Sequence, residues 1–194
     1  MSVPYTTKEL APETWADFER LFAPGRGWAF CACMLYQRGC HLDSKMFPNR
    51  ASARVENLAQ KLALVEDGKA HGVLVYDGGE PVGWCQYGPP EELPLPGAER
   101  LDRRIPPLGD GVQWRITCFV TVAARRRRGV AGIALRAAVE AIRSRGGGLV
   151  EAYPTLTPQD SNWAHAGTVS LFEREAFRVV ERPSEKYVVM QLAM

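Results

Sequence analysis

Two stretches of this chain carry side chains suited to binding or reaction. The first is Arg125-Arg126-Arg127-Arg128-Gly129-Val130-Ala131-Gly132. It follows Val112–Val122, which is rich in β-branched and aromatic residues and reads as a strand. From Gly129 onward Val130, Ile133, Ala134, Ala137, Ala138 and Ala141 recur at helical spacing. A strand therefore delivers a glycine-containing basic loop onto a helix N-terminus. First-turn amides lack intrahelical partners and the helix dipole adds partial positive charge, so the expected ligand is a phosphate or pyrophosphate. Gly129 allows close approach to the backbone, and the arginines offer forked donors. The second stretch is Leu149-Val150-Glu151-Ala152-Tyr153, where a carboxylate interrupts an apolar strand. Period-two geometry places Tyr153 on the face of Glu151.

Other chemistries are excluded by spacing. The loop lacks the Gly-Lys-Ser/Thr ending of a P-loop, and no G-x-G-x-x-G follows the strand. Cys31, Cys33, Cys40 and His41 supply metal-binding residue types, but their C-x-C and C-H spacings match no common zinc template. No metal is expected, and the thiols read as small buried apolar groups. Alternatively, Trp28, Tyr36 and their neighbours line a pocket. The run Arg125–Arg128 is short and lacks interleaved stacking aromatics, which argues against nucleic acid as partner.

The elements that must position these residues follow from periodicity and punctuation. A strand β1 is expected over Tyr5–Leu10, and a helix α1 from Pro12 with Trp15, Phe18, Leu21 and Phe22 on one face. Helix α2 spans Ala51–Glu66, with Val55, Leu58, Leu62 and Val65 inward. Strands β2 (His71–Tyr76) and β3 (Pro81–Tyr87) form a hairpin around Asp77-Gly78-Gly79-Glu80. Pro89–Pro107 is a long loop. Strand β4 is Val112–Val122, with Trp114, Ile116 and Cys118 on its apolar face. Helix α3 runs from Gly129 until Gly146-Gly147-Gly148. Strand β5 is Leu149–Tyr153, helix α4 is His165–Ala176, and β6 (Phe177–Val180) and β7 (Lys186–Leu192) close the chain.

Length and composition fit a single domain over residues 1–194: 194 residues, 46% hydrophobic, net charge +2. That charge is too small for a general polyanion binder. No segment reads as a signal peptide or membrane span, so the expected location is cytoplasmic and no membrane partner is expected. Five cysteines, an odd number, are expected as free thiols.

The segment Arg126-Arg127-Arg128-Gly129-Val130-Ala131 resembles the Arg/Gln-x-x-Gly-x-Gly/Ala loop of the GNAT (acetyl-CoA-dependent N-acetyltransferase) superfamily. The hairpin text GGEPVGW, the closing LFEREAF and the element order extend the likeness along nearly the whole chain. The resemblance implies an α/β fold: a central mixed, mostly antiparallel twisted sheet flanked by helices, in the order β1-α1-α2-β2-β3-β4-α3-β5-α4-β6-β7. It implies acetyl-CoA as co-substrate and an amine acceptor in a small molecule or protein. Phe119, Val120 and Thr121 would line the pantetheine arm, and Arg126, Arg127, Arg128, Gly129, Val130, Ala131 and Gly132 would cradle the pyrophosphate. Acyl transfer needs the ammonium to lose a proton, a task suited to Glu151, with Tyr153 or His165 as acid. An ion pair with a neighbouring arginine is the structural alternative for Glu151. Family sequences often carry Asn, then Leu-Tyr-x-x-x-Gly-Phe, the tyrosine protonating the CoA thiolate. Here His165, Phe172 and Ala176 stand at the Asn, Tyr and Gly positions. Phenylalanine cannot donate a proton, so the alternative is a catalytically weak acyl-CoA-binding or regulatory protein. A homodimer is compatible with the sequence.

Overall fold

The computed structural model describes residues 5–24, 29–38, 47–94, 111–157 and 164–194. Along the chain these give β1 (Thr6–Glu9), a 3₁₀ turn (Pro12–Thr14), α1 (Trp15–Leu21), α2 (Arg50–Glu66), β2 (His71–Asp77), β3 (Glu80–Gly88) and β4 (Val112–Thr121). A 3₁₀ turn (Ala123–Arg125) leads to α3 (Val130–Ser144) and β5 (Leu149–Ala152). A last 3₁₀ turn (Ala164–Ala166) precedes α4 (Val169–Glu173), β6 (Arg178–Glu181) and β7 (Val189–Ala193). The strands form one seven-stranded sheet in the order β1-β2-β3-β4-β5-β7-β6. Only the β4–β5 pair is parallel; the others are antiparallel. The mixed, mostly antiparallel sheet and the element order are those expected. Of the proline-rich loop, residues 95–107 lie outside the described residues, as do Trp28, Cys40 and His41.

Each face of the sheet carries a core. One joins β2–β5 and β7 to α3 and α4 through Val75, Ile116, Leu135, Ile142, Phe172 and Met190. The other joins α1, α2 and the segment 29–38 to β2–β4 through Phe18, Phe22, Leu58, Leu74, Trp84 and Cys118.

Three local expectations need correction. In α2 the inward stripe is Ala53, Asn57, Leu58, Lys61 and Val65, while Val55 is 68% exposed. Polar side chains face inward because they bind backbone of the segment before the helix: Asn57 Nδ2 donates to the Phe30 carbonyl at 2.7 Å and Lys61 Nζ to that of Cys33 at 3.3 Å. In β4 the strict alternation fails. Tyr87 pairs with Ile116 and Gln86 with Cys118, leaving Thr117 as an extra residue. Ile116 and Cys118 therefore enter opposite cores. The continuous helix His165–Ala176 is broken by Gly167 at φ 79°, and α4 starts only after Thr168, whose hydroxyl accepts from Leu171 N–H at 3.3 Å. The helix ends on Ala176 at φ 65°, a left-handed position that a glycine would occupy with less strain.

Gly83 on β3 fixes where α3 begins. A Cβ there would lie 2.3 Å from Val130 Cγ1, and Val130 is 2% exposed. The missing side chain lets the helix N-terminus seat directly on the sheet. Gly83→Ala should thus lower stability by about 1–3 kcal/mol through overpacking, measured by urea denaturation; an unchanged midpoint would mean that α3 can shift at no cost.

Candidate functional site

The site forms where β4 and β5 part. Their pairing runs from Val112/Leu149 to Ile116/Ala152, after which β4 continues alone to Thr121. On its other edge β4 stays paired with β3, Cys85 opposite Phe119 and Trp84 opposite Val120. After β5 the chain turns at Pro154, and Thr155 N–H donates to the Gly167 carbonyl at 3.0 Å, drawing the backbone away from β4. Among the described residues, Phe119, Val120 and Thr121 therefore border a gap with no strand across it.

The basic loop closes one end of this gap. Arg127 (φ 59°) and Gly129 (φ 81°) both adopt left-handed conformations, which fold the backbone into a concave turn ahead of α3. The first bond of that helix runs from Ile133 N–H to the Gly129 carbonyl at 3.0 Å, so the amides of Val130, Ala131 and Gly132 precede the ladder. A Cβ on Gly129 would meet nothing within 4 Å, so the loop mouth is open. Arg126, Arg127 and Arg128 are exposed. Arg125 is tied instead to the β2–β3 hairpin, its Nε donating to Asp77 Oδ2 at 2.5 Å. The loop thus offers amides and positive charge to an anion the size of a phosphate or diphosphate.

Glu151 and Tyr153 meet on one face at the start of the gap. Glu151 is 3% exposed; it accepts from the Tyr153 hydroxyl at Oε1 and from Gln191 Nε2 at Oε2, 2.8 Å away. Burial pushes the Tyr153 phenol well above its ordinary range, the Arg115 charge opposing and the Glu151 charge assisting. Arg115 is the register partner of Glu151. Its Nη1 donates to the Leu93 carbonyl at 2.7 Å, while its Nε is buried with no acceptor. No salt bridge joins Arg115 to Glu151 among the described residues.

His165 stands on the 3₁₀ turn that packs against β4. Its Nε2 lies 3.2 Å from the Tyr36 hydroxyl. Tyr36 is buried, and its phenol is pushed far up by burial and then by the nearby thiols. Phe172 is fully buried between Phe119 (5.8 Å between centroids) and Phe177 (5.1 Å). Gly167 lets the turn close over these rings: a Cβ would lie 3.0 Å from Phe172 Cε2 and 3.2 Å from Phe119 Cε2.

Behind β4 lies a buried polar cluster. Lys61, fully buried, donates to Gln37 Oε1 and to the Cys33 carbonyl, and Gln86 Nε2 donates to the same carbonyl at 3.1 Å. Thr117 Oγ1 donates to Gln86 Oε1 at 3.2 Å, linking the cluster to the extra residue of β4. Among the described residues no three His, Cys, Asp or Glu side chains converge as metal ligands. Arg115, Gln191, Gln86 and Lys61 were not legible as site residues, because their partners lie far along the chain.

The sequence profile of the acetyltransferase (GNAT) family matches residues 15–166. The chain belongs to the GNAT acetyltransferase family. Solved structures agree at the level of fold. The PaiA N-acetyltransferase of Thermoplasma acidophilum, in complex with coenzyme A, is 10% identical over 99% of this GNAT chain and all of its own, with a TM-score of 0.55. The ribosomal-protein-alanine N-acetyltransferase of Brucella melitensis is 16% identical, with 97% and 99% of the two chains covered and a TM-score of 0.56. A Corynebacterium glutamicum structure described as histone acetyltransferase HPA2 and related acetyltransferase is also 16% identical, with coverage of 98% and 96% and a TM-score of 0.56. No curated protein sequence matches the chain. Among the described residues no helix is long and apolar enough to cross a membrane.

The cluster behind β4 predicts a pH effect. Burial lowers the Lys61 pKa from 10.5 to about 8. Between those values the unfolded chain holds a proton that the folded chain has released, so stability rises with pH across that window and is lowest below it. At about 1.4 kcal/mol per pKa unit, the change is about 3 kcal/mol. Lys61→Met removes the titration. The stability difference, wild type minus variant, should climb by that amount across the window in urea melts at fixed pH. A flat difference would show that the Lys61 amine titrates as in the unfolded chain.

Proposed function

We propose that this chain is an N-acetyltransferase that moves the acetyl group of acetyl-CoA to a primary amine of a small molecule or protein. The observation that carries the reading is the parting of β4 from β5 beside an open helix N-terminus. A thioester can lie in the gap while its diphosphate rests on the loop. In this reading the amides from Arg126 to Gly132 bind the diphosphate, and the unpaired edge at Phe119, Val120 and Thr121 binds the pantetheine amides. The open space over Gly129 fits such a group. Bound acetyl-CoA supplies the activated acyl carbon; everything else falls to the chain. The amine approaches from the face of Tyr36 and the segment 29–38. Glu151 takes its proton, directly or through the Tyr153 hydroxyl that donates to it. Tyr153 or His165 supplies a proton to the thiolate. A cytoplasmic location belongs to the same reading.

One observation favours a second reading. Phe172 is sealed between Phe119 and Phe177 and carries no hydroxyl. A protein that binds acyl-CoA but turns over poorly, in a regulatory role, would look the same. Thiol release from acetyl-CoA across a panel of amines separates the two: turnover above the amine-free rate supports the enzyme, and binding without turnover supports the regulatory protein.

Two substitutions probe the assignments. Glu151→Gln should lower kcat by about 10²–10⁴-fold, with the greatest loss at low pH, where the amine is most protonated. A variant that keeps the wild-type pH–rate profile would make Glu151 structural. Gly129→Glu should abolish CoA binding while circular dichroism stays native, because the new carboxylate stands in the anion's place. The strained left-handed backbone should cost about 1–2 kcal/mol. Unchanged CoA affinity in the folded variant would remove the loop from the site.

A further inference from the structure

The thiols of Cys33 and Cys118 lie 3.2 Å apart, although the residues are 85 positions apart in sequence. Both are buried. Cys33 is held in place on its main chain: Lys61 Nζ and Gln86 Nε2 both donate to its carbonyl, at 3.3 and 3.1 Å. Ala32 and Cys33 occupy consecutive left-handed conformations, φ 45° and 51°. Such strain in non-glycine residues persists only where the surroundings fix the backbone. Cys118 directly follows Thr117, the extra residue of β4, where the strand register shifts. A disulfide needs sulfurs about 2.05 Å apart, so about 1 Å of approach is enough.

We propose that Cys33 and Cys118 form a redox site, in which hydrogen peroxide converts the dithiol to a disulfide that fastens the segment 29–38 to β4. One thiol attacks the peroxide O–O bond, becomes a sulfenic acid and releases water. The other thiol attacks that sulfur, the S–S bond forms, and a second water leaves. The two thiols lose two electrons and two protons, and the peroxide accepts both. The hydrogen bond with Cys33 and then burial hold the Cys118 thiol well above its ordinary range, so the step is slow beside that of an exposed thiolate. Cys85 pairs with Phe119 and enters the opposite core, so it stands outside the bridge. The crosslink closes a long loop of the unfolded chain and should raise stability. It also ties the segment 29–38 to the strand that borders the gap.

The test is oxidation of the folded full chain with excess hydrogen peroxide, followed by removal of peroxide, denaturation and alkylation. The expected result is a mass loss of two hydrogens, two fewer alkylated thiols, and a proteolytic peptide pair joining Cys33 to Cys118. The change should reverse with dithiothreitol, and Tm should rise by several degrees. C118S and, separately, C33S should abolish the joined peptide and the Tm rise. Either variant suffices if the other fails to fold. Five alkylatable thiols after treatment, addition of oxygen without a joined peptide, or a bridge to Cys31, Cys40 or Cys85 would each overturn the proposal. The readout is mass, so it is independent of whether the chain transfers acetyl groups.

Discussion

Beyond Ile116 the backbone of β4 can no longer exchange hydrogen bonds with β5. The neighbouring strand ends at Ala152, and proline at 154 offers no N–H with which to continue a ladder. The chain leaves toward β7 instead: Val188 N–H donates to the Pro154 carbonyl at 3.2 Å, and Thr155 bridges Thr168 and Tyr187. Backbone groups left without a partner are costly unless water or a ligand satisfies them. One half of β4 thereby has an edge with no strand partner among the described residues, while its other edge stays paired with β3. Everything in the candidate site is placed relative to that parting. Glu151 and Tyr153 stand at its start, the α3 loop at its far end, and the turn bearing His165 over its side.

The wall behind β4 is built with polar groups where an apolar core would be simpler. Asn57 and Lys61 face inward from α2 because the irregular segment 29–38 has carbonyls that no strand or helix satisfies. The cost is a buried ammonium without a salt bridge among the described residues, and its lowered pKa records that cost. In return, a segment with two left-handed residues keeps one shape against β4, which places Tyr36 beside His165.

Much of this order was legible in the sequence. β-branched runs, the Asp77–Glu80 turn and the helical spacing after Gly129 located the strands and α3 among the described residues to within a few positions. The strand, basic loop and helix start were legible because one short segment, Arg126–Gly132, contains the whole loop proposed to hold an anion. The contact between Glu151 and Tyr153 was legible for the same reason: two residues apart in an extended chain share a face. What stayed hidden depends on distant partners. Gln191 reaches Glu151, and Arg115 stands opposite it, only through strand register. The extra residue at Thr117 breaks an alternation that text alone presents as intact. The helix break at Gly167 was obscured because Val169, Phe172 and Ala176 keep helical spacing directly after it.

The central claim is that the gap along β4 and the open N-terminus of α3 form one site for an acyl thioester carrying a diphosphate. Calorimetric titration of CoA, compared with pantetheine, tests it most directly. The account predicts one CoA bound per chain, with pantetheine much weaker because it lacks the groups that the loop would hold. Equal affinities would detach the loop from the site, and an absence of CoA binding would contradict the account as a whole.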